Sequence, residues 1–219
     1  MIRASIIVLL FLTAGALVAE AQIVNPATAD AEAASLGLGF DHGGVLELGY
    51  RRPLRIADDT ALQLRLQAPS SPGLGDGAVS LLATRGWRSD RGWGATVTLG
   101  PSVRWVDAEL LGVGQGAIIA GGGAGLFRRR GFAAAELTWE HSLVTYVRPT
   151  DMYRRVVYAE STSGFHGPGG GTLRGGLAVA VVPAARVEVG LRAGYMVTER
   201  LGVVAGLPFY GVIDVQVRR

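Results

Sequence analysis

The chain has 219 residues, with 21 basic against 18 acidic side chains, a formal charge of +3, 49% hydrophobic composition and a mean hydropathy of +0.31. Cysteine is absent, which excludes disulfide staples, thiolate nucleophiles, thiolate metal sites and an N-terminal lipid anchor on cysteine. Lysine is absent as well, so a phosphate-loop lysine and a Schiff-base lysine are excluded, and the arginines are spread along the sequence in a way that gives no nucleic-acid signal. The 33 glycines exceed the ordinary usage of roughly 7% and sit inside apolar stretches rather than in a polar linker.

The N-terminus begins Met1-Ile2-Arg3, continues as an apolar run from Ile6 to Val18, and reaches the small-residue site Ala19-Glu20-Ala21. This pattern is that of a cleaved secretory signal over residues 1–21, and the run is too short to span a bilayer. Residues 22–33 read as a loose N-terminal lead. Beyond them no apolar stretch approaches the roughly 20 residues of a membrane helix; the longest, Gly116 to Phe127, contains five glycines.

Period-two alternation recurs instead, and it is the mark of strands with two unlike faces. Leu62, Leu64 and Leu66 alternate with Gln63, Arg65 and Gln67; Val187, Val189 and Leu191 alternate with Glu188, Gly190 and Arg192; Ile213, Val215 and Val217 alternate with Asp214, Gln216 and Arg218. Turn residues divide the chain into runs at 34–40, 44–51, 60–68, 78–88, 93–106, 112–128, 132–147, 171–182, 186–196 and 202–217. The first two could equally be one bent strand, so eight and ten strands both stand. The tightest connections, Ser89–Gly92, Arg129–Gly131 and Pro183–Ala185, fall on one side of the resulting sheet, and the longest, 148–170, falls on the other. Short turns opposite long loops is the layout of a bacterial outer-membrane barrel with both termini in the periplasm.

One face is nearly free of charge. Across residues 93–105, Trp93, Ala95, Val97, Leu99, Val103 and Trp105 oppose Gly94, Thr96, Thr98, Gly100, Ser102 and Arg104. Twelve steps of about 3.3 Å tilted by about 40° rise roughly 30 Å, which sets the two tryptophans at opposite membrane interfaces. Trp87 and Tyr195 join the same aromatic girdle, whereas Trp139 is harder to place. The opposite parity collects Glu47, Arg65, Arg104, Glu136, Glu140, Arg174, Glu188, Arg192 and Asp214 in the lumen. In a barrel of eight to ten strands these must pair, giving a salt-bridged plug rather than a wide channel.

The expected fold is therefore all-β: an antiparallel up-and-down transmembrane β-barrel of 8–10 strands over residues 34–219, apolar face outward. This architecture, with its signal sequence, girdle and final strand carrying Phe209, Ile213, Val215 and Val217, resembles the small outer-membrane β-barrel superfamily of the OmpA, OmpX and OmpW type. The resemblance implies an outer-membrane location, insertion by the barrel assembly machinery, and contact with membrane lipids and lipopolysaccharide. The chain departs from such barrels by ending Val217-Arg218-Arg219 instead of on an aromatic residue.

Three functional readings stand: a structural, adhesive or narrow-pore barrel with porin-like outline; a lipid A acyl hydrolase-like barrel enzyme; and a soluble periplasmic barrel holding a small apolar ligand. The enzyme reading has only Glu140-His141-Ser142, whose neighbours point to opposite faces of a strand, so no catalytic residue is assigned. His42, His141 and His166 lack metal-ligand spacing, and Gly121-Gly122-Gly123-Ala124-Gly125 lacks the fingerprint of a nucleotide loop; no metal or cofactor is expected. In the 148–170 loop, Arg148, Arg154 and Arg155 are candidates for bidentate contact with lipopolysaccharide phosphates.

Overall fold

Alternation between β-branched or leucine residues and small or polar ones, punctuated by Gly, Pro and Asp, leaves the backbone little choice but paired strands. The computed structural model describes residues 23–41, 44–54, 60–69, 77–107, 110–198 and 208–219; the expected signal over residues 1–21, His42-Gly43 and the first part of the 202–217 run lie outside them. The described residues form β1 (Ala33–Asp41), β2 (Gly44–Pro53), β3 (Thr60–Pro69), β4 (Gly77–Arg88), β5 (Trp93–Asp107), β6 (Leu111–Arg128) and β7 (Gly131–Pro149). After the short helix α1 (Asp151–Val156) come β8 (Gly164–His166), β9 (Gly171–Ala184), β10 (Val187–Thr198) and β11 (Phe209–Arg218).

Each strand pairs antiparallel with its neighbour, and β1 closes the ring by pairing with β11 from Ala33↔Arg218 to Asp41↔Tyr210. Ten strands complete the barrel, so residues 34–51 are two strands, and the ten-strand alternative is the one adopted. The three-residue β8 stands apart from the ring, pairing with Thr145–Val147 above β9. There β7 carries a bulge: Ala117 faces Ser142 but Gly116 faces Val144. Leu143 is the extra residue, and it and Val144 are both exposed.

Burial is inverted relative to a soluble barrel. Leu38, Leu48, Leu99, Val103, Leu177 and Ile213 are about half exposed or more, while the opposite faces of the same strands bury Arg, Glu, Gln and Thr. A water-soluble barrel would bury the first set and expose the second. The outward set forms a continuous apolar belt, the surface of a membrane-spanning barrel. No helix among the described residues is long and apolar enough to cross a membrane.

Residues 23–32 are not a loose lead. Ile23, Val24, Asn25, Thr28 and Ala29 are buried, with Asn25 at 0% exposure. They fold through a 3₁₀ turn, Pro26–Thr28, into the end of the barrel that carries the short turns. The physical reason is room. Ile23 lies over Gly123 where any side chain would collide with it, and a Cβ on Gly86 would stand 2.7 Å from Pro26 Cγ. Glycines of β4 and β6 thus shape a groove that the chain's own N-terminal segment fills.

Candidate functional site in the lumen

Strand parity aims Glu47 of β2 and Arg65 and Gln67 of β3 at the same interior space, since Gln67 is the register partner of Glu47. Arg65 Nη2 pairs with Glu47 Oε2, and Gln67 Nε2 donates to Glu47 Oε1 at 2.6 Å. Arg192 arrives from β10, with β1 and β11 lying between it and β2, and donates to the same Oε2 at 3.0 Å. One carboxylate therefore ties three strands together across a chord of the lumen. With these side chains almost wholly buried, charge pairing is what makes the arrangement tolerable, because an isolated ion there carries a large desolvation cost.

A second chord joins Tyr210 of β11 to Glu136 of β7, the hydroxyl donating to Oε1 at 2.7 Å. Glu188 and Arg218 approach to 3.9 Å near the short-turn end. Arg104, Glu140, Arg174 and Asp214 are also buried, and none of them is without a partner. The nine charged residues read from parity thus all lie in the interior, on five acidic and four basic positions. Sequence reasoning omitted Arg51 and Arg218, both buried, although each continues the parity of a residue it had selected: Glu47, Gly49, Arg51 and Asp214, Gln216, Arg218.

The uncharged part of the wall is built from hydroxyls. Gln63 donates to Thr84 at 3.2 Å, and Thr84 and Thr98 share a bond of 2.9 Å. At the short-turn end Asn25 Nδ2 donates to the Arg128 carbonyl at 2.9 Å while its Oδ1 accepts from the Ala27 amide, and Arg51 donates to the Thr28 carbonyl. Ile23 packs with Phe127, Ala134 and Ala178. No sequence motif announces this docking; its signal is only the pairing of a buried-type stretch, Ile23-Val24-Asn25-Pro26, with glycines far along the chain.

On the outside, Trp87 and Trp93 lie near the short-turn end, and Trp105 and Tyr195 near the other, all exposed. Phe209 packs tilted against Tyr195 at 4.6 Å, and Trp139 also faces outward, stacked on His141 at 5.1 Å. Ser142, the next residue, is buried in the lumen, so the strand separates His141 from the only adjacent hydroxyl nucleophile. Among the described residues no group of three or more His, Asp or Glu is placed to hold a metal ion. Arg148 pairs with Asp107 at 3.4 Å and Arg154 with Asp151 at 3.5 Å; Arg154 also donates to the Ser161 carbonyl, and Arg155 is exposed.

No family model matches the chain, and no curated protein matches it. Similar solved structures include the KdgM porin, at 8% identity over 84% of this chain and 98% of that one, with a TM-score of 0.37. Ail, the attachment invasion locus protein of Yersinia pestis, is 8% identical over 87% and 99%, with a TM-score of 0.35. The translocator domain of the autotransporter NalP from Neisseria meningitidis is 11% identical over 86% and 87%, with a TM-score of 0.40. The barrel assignment itself rests on the closed ring of ladders in this chain.

Proposed function

We propose that the chain is an integral outer-membrane barrel whose lumen is closed, serving as a membrane-embedded structural or adhesive scaffold rather than as an open pore or an enzyme. The observation that carries this reading is the double occupation of the interior. Glu47, Arg65 and Arg192 bridge the lumen from three strands, and residues 23–29 fill the short-turn mouth below them. An interior of ten strands is already narrow, so these side chains and this segment leave little continuous water path. Removal of residues 1–21 belongs to the same proposal. Ile23 is buried beside Gly123 inside the barrel, which favours a chain that has lost the residues before Gln22.

At the opposite end β7 and β8 extend the wall beyond the belt, carrying Tyr146 against Phe165 at 4.9 Å, with Phe165 78% exposed. That projection favours a surface-presenting role over transport. The test is planar-bilayer recording of the refolded chain. Little or no steady conductance is expected, and Gly86→Leu, which expels Pro26 from its groove, should raise it. Large, stable single-channel currents from the unaltered chain would overturn the closed-lumen reading and make the barrel a porin.

A further inference from the structure

The arginines that are spread through the sequence are gathered by the fold. Arg88 and Arg91 flank the β4–β5 turn, Arg128, Arg129 and Arg130 make the β6–β7 turn, and Arg186 stands in the β9–β10 turn. All six are exposed, and Asp90 is the only acidic residue in these three turns. Because the ring order is β4, β5, β6, β7, β9, β10, the turns are successive, one every two strands, roughly 10 Å apart along one arc of the rim.

The arc is also rigid. Each turn is bonded to the strand that follows it around the ring: the Phe127 amide to the Gly92 carbonyl at 2.7 Å, the Val182 amide to the Arg130 carbonyl at 2.9 Å, and the Arg218 amide to the Arg186 carbonyl at 2.8 Å. Gly92 permits the first turn by adopting φ +88°. The exposed rings of Trp87 and Trp93 mark the level at which apolar belt gives way to headgroups, and Arg85 lies over Trp87 at 5.5 Å. The six arginines stand just beyond that level. At the opposite rim, by contrast, Arg148 and Arg154 are already engaged by Asp107 and Asp151.

We infer that this arc is a docking surface for the phosphates of anionic phospholipid headgroups in the leaflet on the short-turn side. Guanidinium groups supply planar paired donors to phosphate oxygens, and a fixed row of six of them against the single carboxylate of Asp90 matches an anionic lipid surface better than a zwitterionic one. This rests on the membrane-barrel reading above.

The experiment titrates the refolded full chain in detergent micelles with phosphatidylglycerol or phosphatidylcholine and counts retained lipids by native mass spectrometry at low and high salt. Phosphatidylglycerol should be retained preferentially and lost at high salt. The triple variant Arg128→Gln, Arg129→Gln, Arg130→Gln should weaken retention about a hundredfold, and Arg91→Gln with Arg186→Gln about thirtyfold. The triple variant Arg148→Gln, Arg154→Gln, Arg155→Gln at the other rim should leave it within about threefold. Heat-modifiable gel mobility identifies which variants remain folded, so two sets in different turns keep the test readable. Equal retention of both lipids, unchanged retention in both short-turn variants, or displacement by equimolar inorganic phosphate would overturn the inference. A chain that is washed from vesicles by alkali would instead break the membrane reading, which the micelle titration does not depend on.

Discussion

On β5 the side chain of Leu99 is 52% exposed and that of Arg104 only 5%, although both belong to one continuous backbone. The outward wall and the lumen obey different rules. The outward wall needs only to be apolar, because lipid chains are fluid and refill any contour, so its residues are interchangeable within a class. The lumen needs particular partners: Glu47 accepts from Arg65, Arg192 and Gln67 together, and each contact depends on the reach of that one side chain. Composition specifies the first surface, and pairing specifies the second.

That contrast can be broken experimentally. Glu47→Ala removes the shared carboxylate and leaves Arg65 and Arg192 facing each other, and should cost about 3–5 kcal/mol in denaturant unfolding from vesicles. Unfolding at the wild-type midpoint would mean that the lumen is solvated rather than paired. Leu99→Arg sets a charge near the middle of the belt, and a loss of about 2–4 kcal/mol in folding into bilayers is expected; unaltered folding would place that face elsewhere than in lipid. Asn25→Ala should lose about 1 kcal/mol from the two bonds that fasten the N-terminal segment. It should appear as faster hydrogen exchange at Ala27 and Thr28 with the barrel amides unaffected. Leu99→Ile, which changes shape but not class, should stay under about 1.5 kcal/mol, and a larger effect would show that the outward wall is also packed against something specific.

The strand runs and the side each residue takes were legible, though not the choice between eight and ten strands, because a period of two is written directly in neighbours such as Val97, Thr98 and Leu99, and because a slip of one residue would put Arg104 in lipid. The salt-bridge partners were not legible beyond their parity. Glu47 and Arg192 are 145 residues apart, and which arginine reaches which carboxylate depends on how strand stagger sets their heights. The docked N-terminal segment was misread for a related reason: Ile23 and Gly123 carry no local pattern that links them. The arginine arc was missed because Arg91, Arg129 and Arg186 become neighbours only when alternate hairpins stand side by side. At 148–170 only the outline was visible, since a six-residue helix and a three-residue strand leave almost no periodic trace.

The closure of the ring by β1 and β11 has a consequence for the order of assembly. The other ladders of the barrel join strands that follow one another around the ring, the widest span being Gly131↔Val181, whereas Ala33 pairs with Arg218 at the far end of the chain. Such a pairing carries the largest loop-closure entropy and forms last. Residues 23–32 lead straight into β1, so the stopper and the seam are one piece of chain, and the Arg219 amide holds the Glu32 carbonyl at 2.9 Å where they meet. Sealing the wall and stopping the mouth are therefore a single late event. Until it occurs the nascent barrel is open both along its side and at its base, and the first residues of the folded segment are among the last to find their place.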